Sequence, residues 1–314
     1  MGKHILVGID GSPASMDVVK YLVFILGKGT RVKIDLLYIL PDIPALFLEP
    51  GESMAEMLQI QDFAEKVHKE NRHKADFVLE EATGILTGAG IHPENIRTLV
   101  KELSAGVARD ILALEQEGTY DGIVLGRHGT SAIEEFLMGN VTHKVLQHTK
   151  GPILCIIHGK IDSRRLLVPV DSSPNSKRVL DHVAWLLAEA GPMEVTILHA
   201  VAPLIVGDMT LMWTGLSELE STIEQRVIDD AEELLSQAKT FLIQNNVPAF
   251  AIKTRLVTKA LGVARTIMKE AREGGYGSIM IGRRGVSRTE RFLFGSVSNK
   301  IVQQARDMAV WVVS

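Results

Sequence analysis

Gly282-Arg283-Arg284-Gly285, followed after nine residues by Gly295-Ser296-Val297-Ser298, decides how this chain folds, because an earlier stretch repeats it in register. The earlier copy is Gly126-Arg127-His128-Gly129 with Gly139-Asn140-Val141-Thr142. At an offset of 156 about half of the nineteen aligned positions agree, including Arg127/Arg283, Glu134/Glu290, Phe136/Phe292, Leu137/Leu293 and Lys144/Lys300. Shared composition does not give that density of matches, so the chain is an internal duplication.

Length agrees with this. The 314 residues suit two domains of about 150 residues, each large enough to bury about two thirds of its unfolded surface. The landmarks that pair across the halves place the domains at 1–160 and 161–314: Asp10 with Asp171, Pro13 with Pro174, and Gly106-Val107-Ala108-Arg109 with Gly262-Val263-Ala264-Arg265. The join, His158 to Ser163, is short and polar, so the two repeats are expected to pack on each other.

Outward from the Gly-rich stretches, each half alternates short apolar runs with helical periodicity. In the first half Ile5–Ile9, Val32–Leu40, Ile96–Val100, Gly122–Leu125 and Ile153–Ile157 read as strands. Helical spacing separates them, and Asp10-Gly11-Ser12-Pro13 supplies the turn and cap that start the first helix. The second half repeats the order from Leu166–Val170 to Val310–Val313. Strands that alternate with helices of ten or more residues imply a mostly parallel sheet with helices on both faces and right-handed crossovers.

In such a sheet, ligands bind beyond the carboxyl ends of the strands, where strand order reverses. Two loops of each repeat end there, the Asp loop after the first strand and the Gly-rich stretch after the fourth. Glycines allow backbone N–H groups close to an anion, and the helix after Gly295 offers unpaired N–H groups with a favourable dipole. Ser296 and Ser298 add hydroxyls, which makes Gly295-Ser296-Val297-Ser298 a candidate phosphate cradle. Arg283 and Arg284 read as either phosphate ligands or a solvated pair. Asp10 and Asp171 suit hydrogen bonds from a ribose or base, and helix capping as well.

Gly-x2-Gly-x9-Gly-Ser/Thr after a fourth strand, with Val-Asp-x-Ser after the first, resembles the universal stress protein family, in tandem across essentially the whole chain. The resemblance implies two doubly wound α/β domains, each a five-stranded parallel sheet of order 3-2-1-4-5. In the family's nucleotide-binding branch it implies ATP as the ligand, with Mg²⁺ carried on the phosphates. Carried across, Pro169, Val170, Asp171, Ser172 and Ala200 would surround adenine and ribose in the second domain. Ile281, Gly282, Arg283, Arg284, Gly285, Gly295, Ser296, Val297 and Ser298 would meet ribose and phosphates. The first-domain set is Gly8, Ile9, Asp10, Gly11, Ile39, Leu125, Gly126, Arg127, Gly129, Gly139, Asn140, Val141 and Thr142. Asn140 departs from the Ser/Thr of the pattern, so two sites of unequal affinity are expected, the second tighter.

Other features carry less. Gly27-Lys28-Gly29-Thr30 follows a helix and lacks the spacing of a phosphate-binding P-loop, so it reads as a helix stop. The ten histidines form no metal-spaced cluster. Cys155, the only cysteine, lies in an apolar run and reads as a small hydrophobe in a reducing compartment. Net charge of −4 gives no bulk reason to bind nucleic acid or an acidic membrane, and no apolar run reaches signal-peptide or transmembrane length, so a cytoplasmic protein is expected. The apolar stretches Ile43–Leu48 and Leu204–Trp213 read as cover for the adjoining core or as a contact surface. Edge strands make a homodimer a further expectation. The function expected is nucleotide binding as a conformational or assembly ligand in a stress response, with at most weak ATPase activity. A slow ATPase or adenylyl-transfer enzyme and a non-nucleotide interaction module are the competing readings.

Overall fold

A computed structural model describes residues 3–43, 53–118, 120–127, 139–202, 216–258, 260, 262–284 and 295–314, with backbone alone for 216–220. The apolar stretches of the two loops after the second strands, from Pro44 to Leu48 and from Leu204 to Trp213, therefore lie outside the described residues. By its internal contacts the chain divides into two compact units, Met1–Ile157 and His158–Ser314.

The first unit runs β1 (His4–Gly8), α1 (Pro13–Ile25), β2 (Lys33–Leu40), α2 (Met54–Gly88), β3 (Ile96–Glu102), α3 (Val107–Glu117), β4 (Gly122–Gly126), α4 (Asn140–His148) and β5 (Ile153–His158). The second runs β6 (Arg165–Pro169), α5 (Pro174–Glu189), β7 (Glu194–Ala200), α6 (Leu216–Gln244), β8 (Ile252–Val257), α7 (Val263–Glu273), β9 (Ser278–Gly282), α8 (Ser296–Gln304) and β10 (Met308–Val313). Strand order is β3-β2-β1-β4-β5 in the first unit and β8-β7-β6-β9-β10 in the second, and the strand pairs within each unit are parallel. The doubly wound α/β expectation, order 3-2-1-4-5 in each repeat, is what the chain adopts.

The apolar runs form these strands because both faces of each central strand are covered. Leu6, Val7, Leu36, Val124, Leu166, Val168 and Ile279 are all buried. Helix α1 contacts α2 while α3 contacts α4, and α5 with α6 and α7 with α8 repeat the pairing. Local signals start the helices. Ser12 Oγ caps α1 by accepting from Ser15 N–H, Pro13 and Pro174 take the first helical positions, and Ser53 with Glu56 forms a reciprocal capping box on α2. Gly29 has a positive φ of 74° in the turn after α1, as a helix stop requires. Cys155 is fully buried on β5, and that burial pushes its thiol pKa well up, so it packs as a hydrophobe.

The amino-terminal edge of each sheet is held by charge. In the first unit buried Asp35 accepts from Arg97 Nε at 3.1 Å and Tyr120 Oη at 2.6 Å, and His4 Nε2 lies 3.0 Å away. In the second unit Glu194 takes Arg165 Nε at 3.1 Å and Lys253 Nζ at 3.0 Å, while Arg165 stacks 4.6 Å over the Tyr276 ring. These clusters close the end opposite the crevices, where packing alone would leave strand starts open to water.

Candidate functional site

In each unit the strand order reverses beside the first strand: β1 lies between β2 and β4, and β6 between β7 and β9. The crevice this leaves at the carboxyl ends is the natural ligand site of a doubly wound sheet. A cavity of about 380 Å³ occupies it in the second unit and one of about 490 Å³ in the first. Both fall in the range of small-molecule sites, roughly 300–1,000 Å³.

The Asp loop forms one wall. Asp171 Oδ1 accepts from Ser173 N–H at 3.0 Å, from Ser173 Oγ, and from Ser176 Oγ at 2.8 Å. Ser176 Oγ in turn accepts the Asp171 N–H at 2.8 Å. One carboxylate oxygen is therefore saturated by the helix start, and Oδ2 has no partner among the described residues. In the first unit Asp10 Oδ1 accepts from Ser12 N–H at 3.0 Å, and Ser15 Oγ accepts from Asp10 N–H at 3.3 Å. Gly11 is needed there: its φ is 76°, and a Cβ would lie 2.8 Å from the Val78 side chain.

The Gly-rich stretch forms the opposite wall, and its two described ends meet. Arg283 N–H donates to Val313 O at 2.6 Å, Gly295 N–H donates to Arg283 O at 2.9 Å, and Ser298 Oγ–H donates to Gly282 O at 2.7 Å. The first unit repeats all three: Arg127 N–H to Ile157 O at 2.8 Å, Gly139 N–H to Arg127 O at 2.8 Å, and Thr142 Oγ–H to Gly126 O at 2.7 Å. Gly295 is glycine because of this close return; a Cβ there would lie 3.1 Å from Arg283 O and 3.5 Å from Arg284 Cα. Helices α4 and α8 have no side-chain cap and no acidic residue in the first turn. Their first N–H groups have no intrahelical acceptor and carry the positive end of the helix dipole.

In the second unit Pro169, Val170, Asp171, Ser172 and Ala200 line the crevice from the β6 and β7 side. Ile281, Gly282, Arg284, Gly295, Ser296, Val297 and Ser298 line it from the other. In the first, Gly8, Ile9, Asp10 and Ile39 face Leu125, Gly126, Gly139, Asn140, Val141 and Thr142 across the cavity. Gly129 and Gly285 lie outside the described residues. Arg127, Arg283 and Gly11 are not on the lining; Arg127 is only 1% exposed, and it is the backbone of both arginines that ties the Gly-rich ends together. The hydroxyls of Ser298 and Thr142 are buried donors to strand carbonyls, so their protons serve the fold. Ser296 lines the crevice.

The linings also hold residues that the repeat pattern does not single out. His199 Nδ1 lies 2.7 Å from Val170 O, so that nitrogen carries the proton and Nε2 is the remaining ring acceptor in the neutral form. Tyr38 holds the equivalent place in the first unit, since Ile9 N–H bonds Leu37 O as Val170 N–H bonds Leu198 O. Burial, and after it the Asp10 charge, raise the Tyr38 pKa above its ordinary value, so its hydroxyl stays protonated. Lys74 from α2 reaches the first crevice, and Asn175 from α5 reaches the second. Alternation along the strands hints at Tyr38 and His199; nothing local marks Lys74 or Asn175. Among the described residues no three His, Cys, Asp or Glu side chains come together as a metal site, and no helix is long and apolar enough to cross a membrane.

Fold and crevice define a tandem doubly wound α/β protein with one cleft per half. The universal stress protein family model matches residues 1–156 and again 163–314, so the chain belongs to that family as a two-domain member. Among its relatives is a universal stress protein of Mycobacterium tuberculosis, 20% identical over 332 aligned positions that cover 96% of this chain and 92% of the relative. The universal stress protein YxiE of Bacillus subtilis is 29% identical over 143 positions, 44% of this chain and 91% of its own length, as a single-unit relative must be. A universal stress protein structure from Archaeoglobus fulgidus aligns over 99% of this chain and 96% of its own with a TM-score of 0.59 at 19% identity, a likeness of fold.

Proposed function

We propose that the chain is a cytoplasmic ATP-binding universal stress protein in which the nucleotide acts as a conformational or assembly ligand in a stress response. One observation carries the reading: the second crevice joins the uncapped amino terminus of α8 to an aspartate with one oxygen saturated and the other available. Backbone N–H groups at a helix start suit an anion, and a carboxylate oxygen suits a hydroxyl or amine donor. A nucleotide offers both a phosphate and ribose hydroxyls, and the apolar Val170, Ile281 and Ala200 of the same lining suit a base.

The two units support the reading unequally. Asn140 in place of Ser296 brings a larger amide to the first turn of α4, so the first crevice is the weaker. Mg²⁺ would ride on the phosphates and needs few protein ligands. The ligand role is favoured over turnover because, among the described residues, no crevice serine is hydrogen-bonded to His199, so no nucleophile is paired with a base. ATP would then act through its differential affinity for two arrangements of the chain.

Mass spectrometry of small molecules released from the purified protein, followed by single-turnover assay with added ATP, tests this. Retained or titratable adenine nucleotide with hydrolysis slower than dissociation is the expected result. Hydrolysis faster than dissociation would make the protein an enzyme, and no adenine nucleotide at any concentration would leave an interaction module.

A further inference from the structure

The second crevice restrains the start of its Gly-rich stretch with a side-chain bond from a position where the first repeat carries alanine. Asn175, the second residue of α5, donates from Nδ2 to the Arg284 carbonyl at 2.7 Å. The same side chain packs against the strand end, where a Cβ on Gly282 would lie 3.1 Å from Asn175 Cβ. Three other bonds pin this end, and each has its counterpart in the first unit: through Arg283 N–H, Gly295 N–H and Ser298 Oγ, matched by Arg127, Gly139 and Thr142. The fourth comes from a side chain that differs between the repeats: Asn175 follows Pro174 as Ala14 follows Pro13, and alanine carries no side-chain donor.

The bond acts at the place where an anion would sit. Arg284 lines the crevice, and its peptide carbonyl is the group that would repel a phosphate if it turned inward. Held by Asn175, that oxygen is committed to α5, and Arg284 at the crevice wall is restrained before a ligand arrives. A loop restrained in advance loses less freedom on binding.

We propose that Asn175 is a positioning residue for the Gly282–Arg284 wall of the second crevice and contributes to an affinity difference between the two crevices. This rests on the nucleotide reading above. It adds a second cause of asymmetry that is independent of Asn140, on a different helix.

The test uses the full chain and amide hydrogen exchange, which reads each crevice through its own peptides, during titration with ATP and separately with inorganic tripolyphosphate. The variants are Asn175→Ala, Asn175→Leu and Asn175→Gln. Leucine is close to asparagine in size and a better helix former yet has no donor and no charge, so stability of α5 and the proposed role move in opposite directions. In the wild type, ATP protects 282–298 at a lower concentration than 126–142. Asn175→Ala and Asn175→Leu raise the midpoint for 282–298 about tenfold, the size of one lost hydrogen bond, and leave 126–142 unchanged. Asn175→Gln, which keeps an amide on a longer chain, recovers part of the loss. Without ligand, 282–284 exchanges faster in the first two variants. Unchanged midpoints in Asn175→Ala and Asn175→Leu, with the wild type binding normally, overturn the positioning role and leave the nucleotide reading standing. No protection by either ligand in the wild type overturns both.

Discussion

The two oxygens of Asp171 differ. Oδ1 gathers Ser173 and Ser176 at the start of α5, and Oδ2 has no partner among the described residues, which is why the proposed function gives it to the ligand. Asp171→Ala removes both, and Ser176 is buried, so its hydroxyl loses a partner with little access to water. The substitution is expected to destabilise the protein by about 1–3 kcal/mol in urea unfolding and to abolish ligand protection of 282–298. Asp35 makes a pH prediction at the same scale. Burial raises its pKa, but hydrogen bonds from Arg97, Tyr120 and His4 outweigh that and hold the carboxyl below its ordinary 3.8. A depressed carboxylate contributes stability that is present above its unfolded pKa, near 3.8, and is lost as pH falls through the lower folded value. Asp35→Asn should therefore flatten the acid limb of stability below about pH 4, measured by urea unfolding across pH, and an acid limb identical to wild type would contradict this. The partner effect falls on Tyr120, whose hydroxyl is pushed up to about 12 by burial and then by Asp35. Spectrophotometric titration should show Tyr120, and Tyr38 with it, still protonated when a free tyrosine has ionised, and Asp35→Asn should bring Tyr120 down.

At the scale of elements, two turns are set by glycine alone. Gly106 and Gly262 precede α3 and α7 with φ of 108° and 102°, beside the crevice-lining Val107 and Val263, and a Cβ at either would meet nothing within 4 Å. The requirement is therefore one of backbone conformation. Gly106→Ala or Gly262→Ala should cost about 1–3 kcal/mol in unfolding free energy, without a steric clash, and should shift ligand affinity less than stability. These elements were legible in the sequence because each rests on a local rule. Buried parallel strands read as continuous apolar runs, and Ser12-Pro13 and Ser173-Pro174 announce helix starts. The repeat doubled every signal, which is why strand order could be expected from family resemblance and met in the structure. Repetition also hides what differs. Asn175 against Ala14, His199 against Tyr38, and Lys74 against Asp230 at the repeat offset differ between halves, so a reading organised by what recurs passes over them.

For the molecule as a whole, duplication gives two crevices of one plan with different equipment. The second has Ser296, His199 and the Asn175 bond; the first has Asn140, Tyr38 and Lys74. On the proposed nucleotide function, divergence at these places, with the strands and Gly-rich ends held constant, would carry one binding geometry at two affinities. The protein would then respond over a wider range of ligand concentration than two equal sites. Calorimetric titration of ATP into the wild type, Ser296→Asp and Asn140→Asp tests the central claim most directly. Both residues open their helices and line the crevices, and aspartate is favoured in a first turn, so each variant should keep its helix while placing a negative charge where a phosphate is proposed to bind. The account predicts that Ser296→Asp removes the tighter phase and leaves the weaker, and that Asn140→Asp does the reverse. ATP binding with the same affinity and stoichiometry in Ser296→Asp as in the wild type would contradict it.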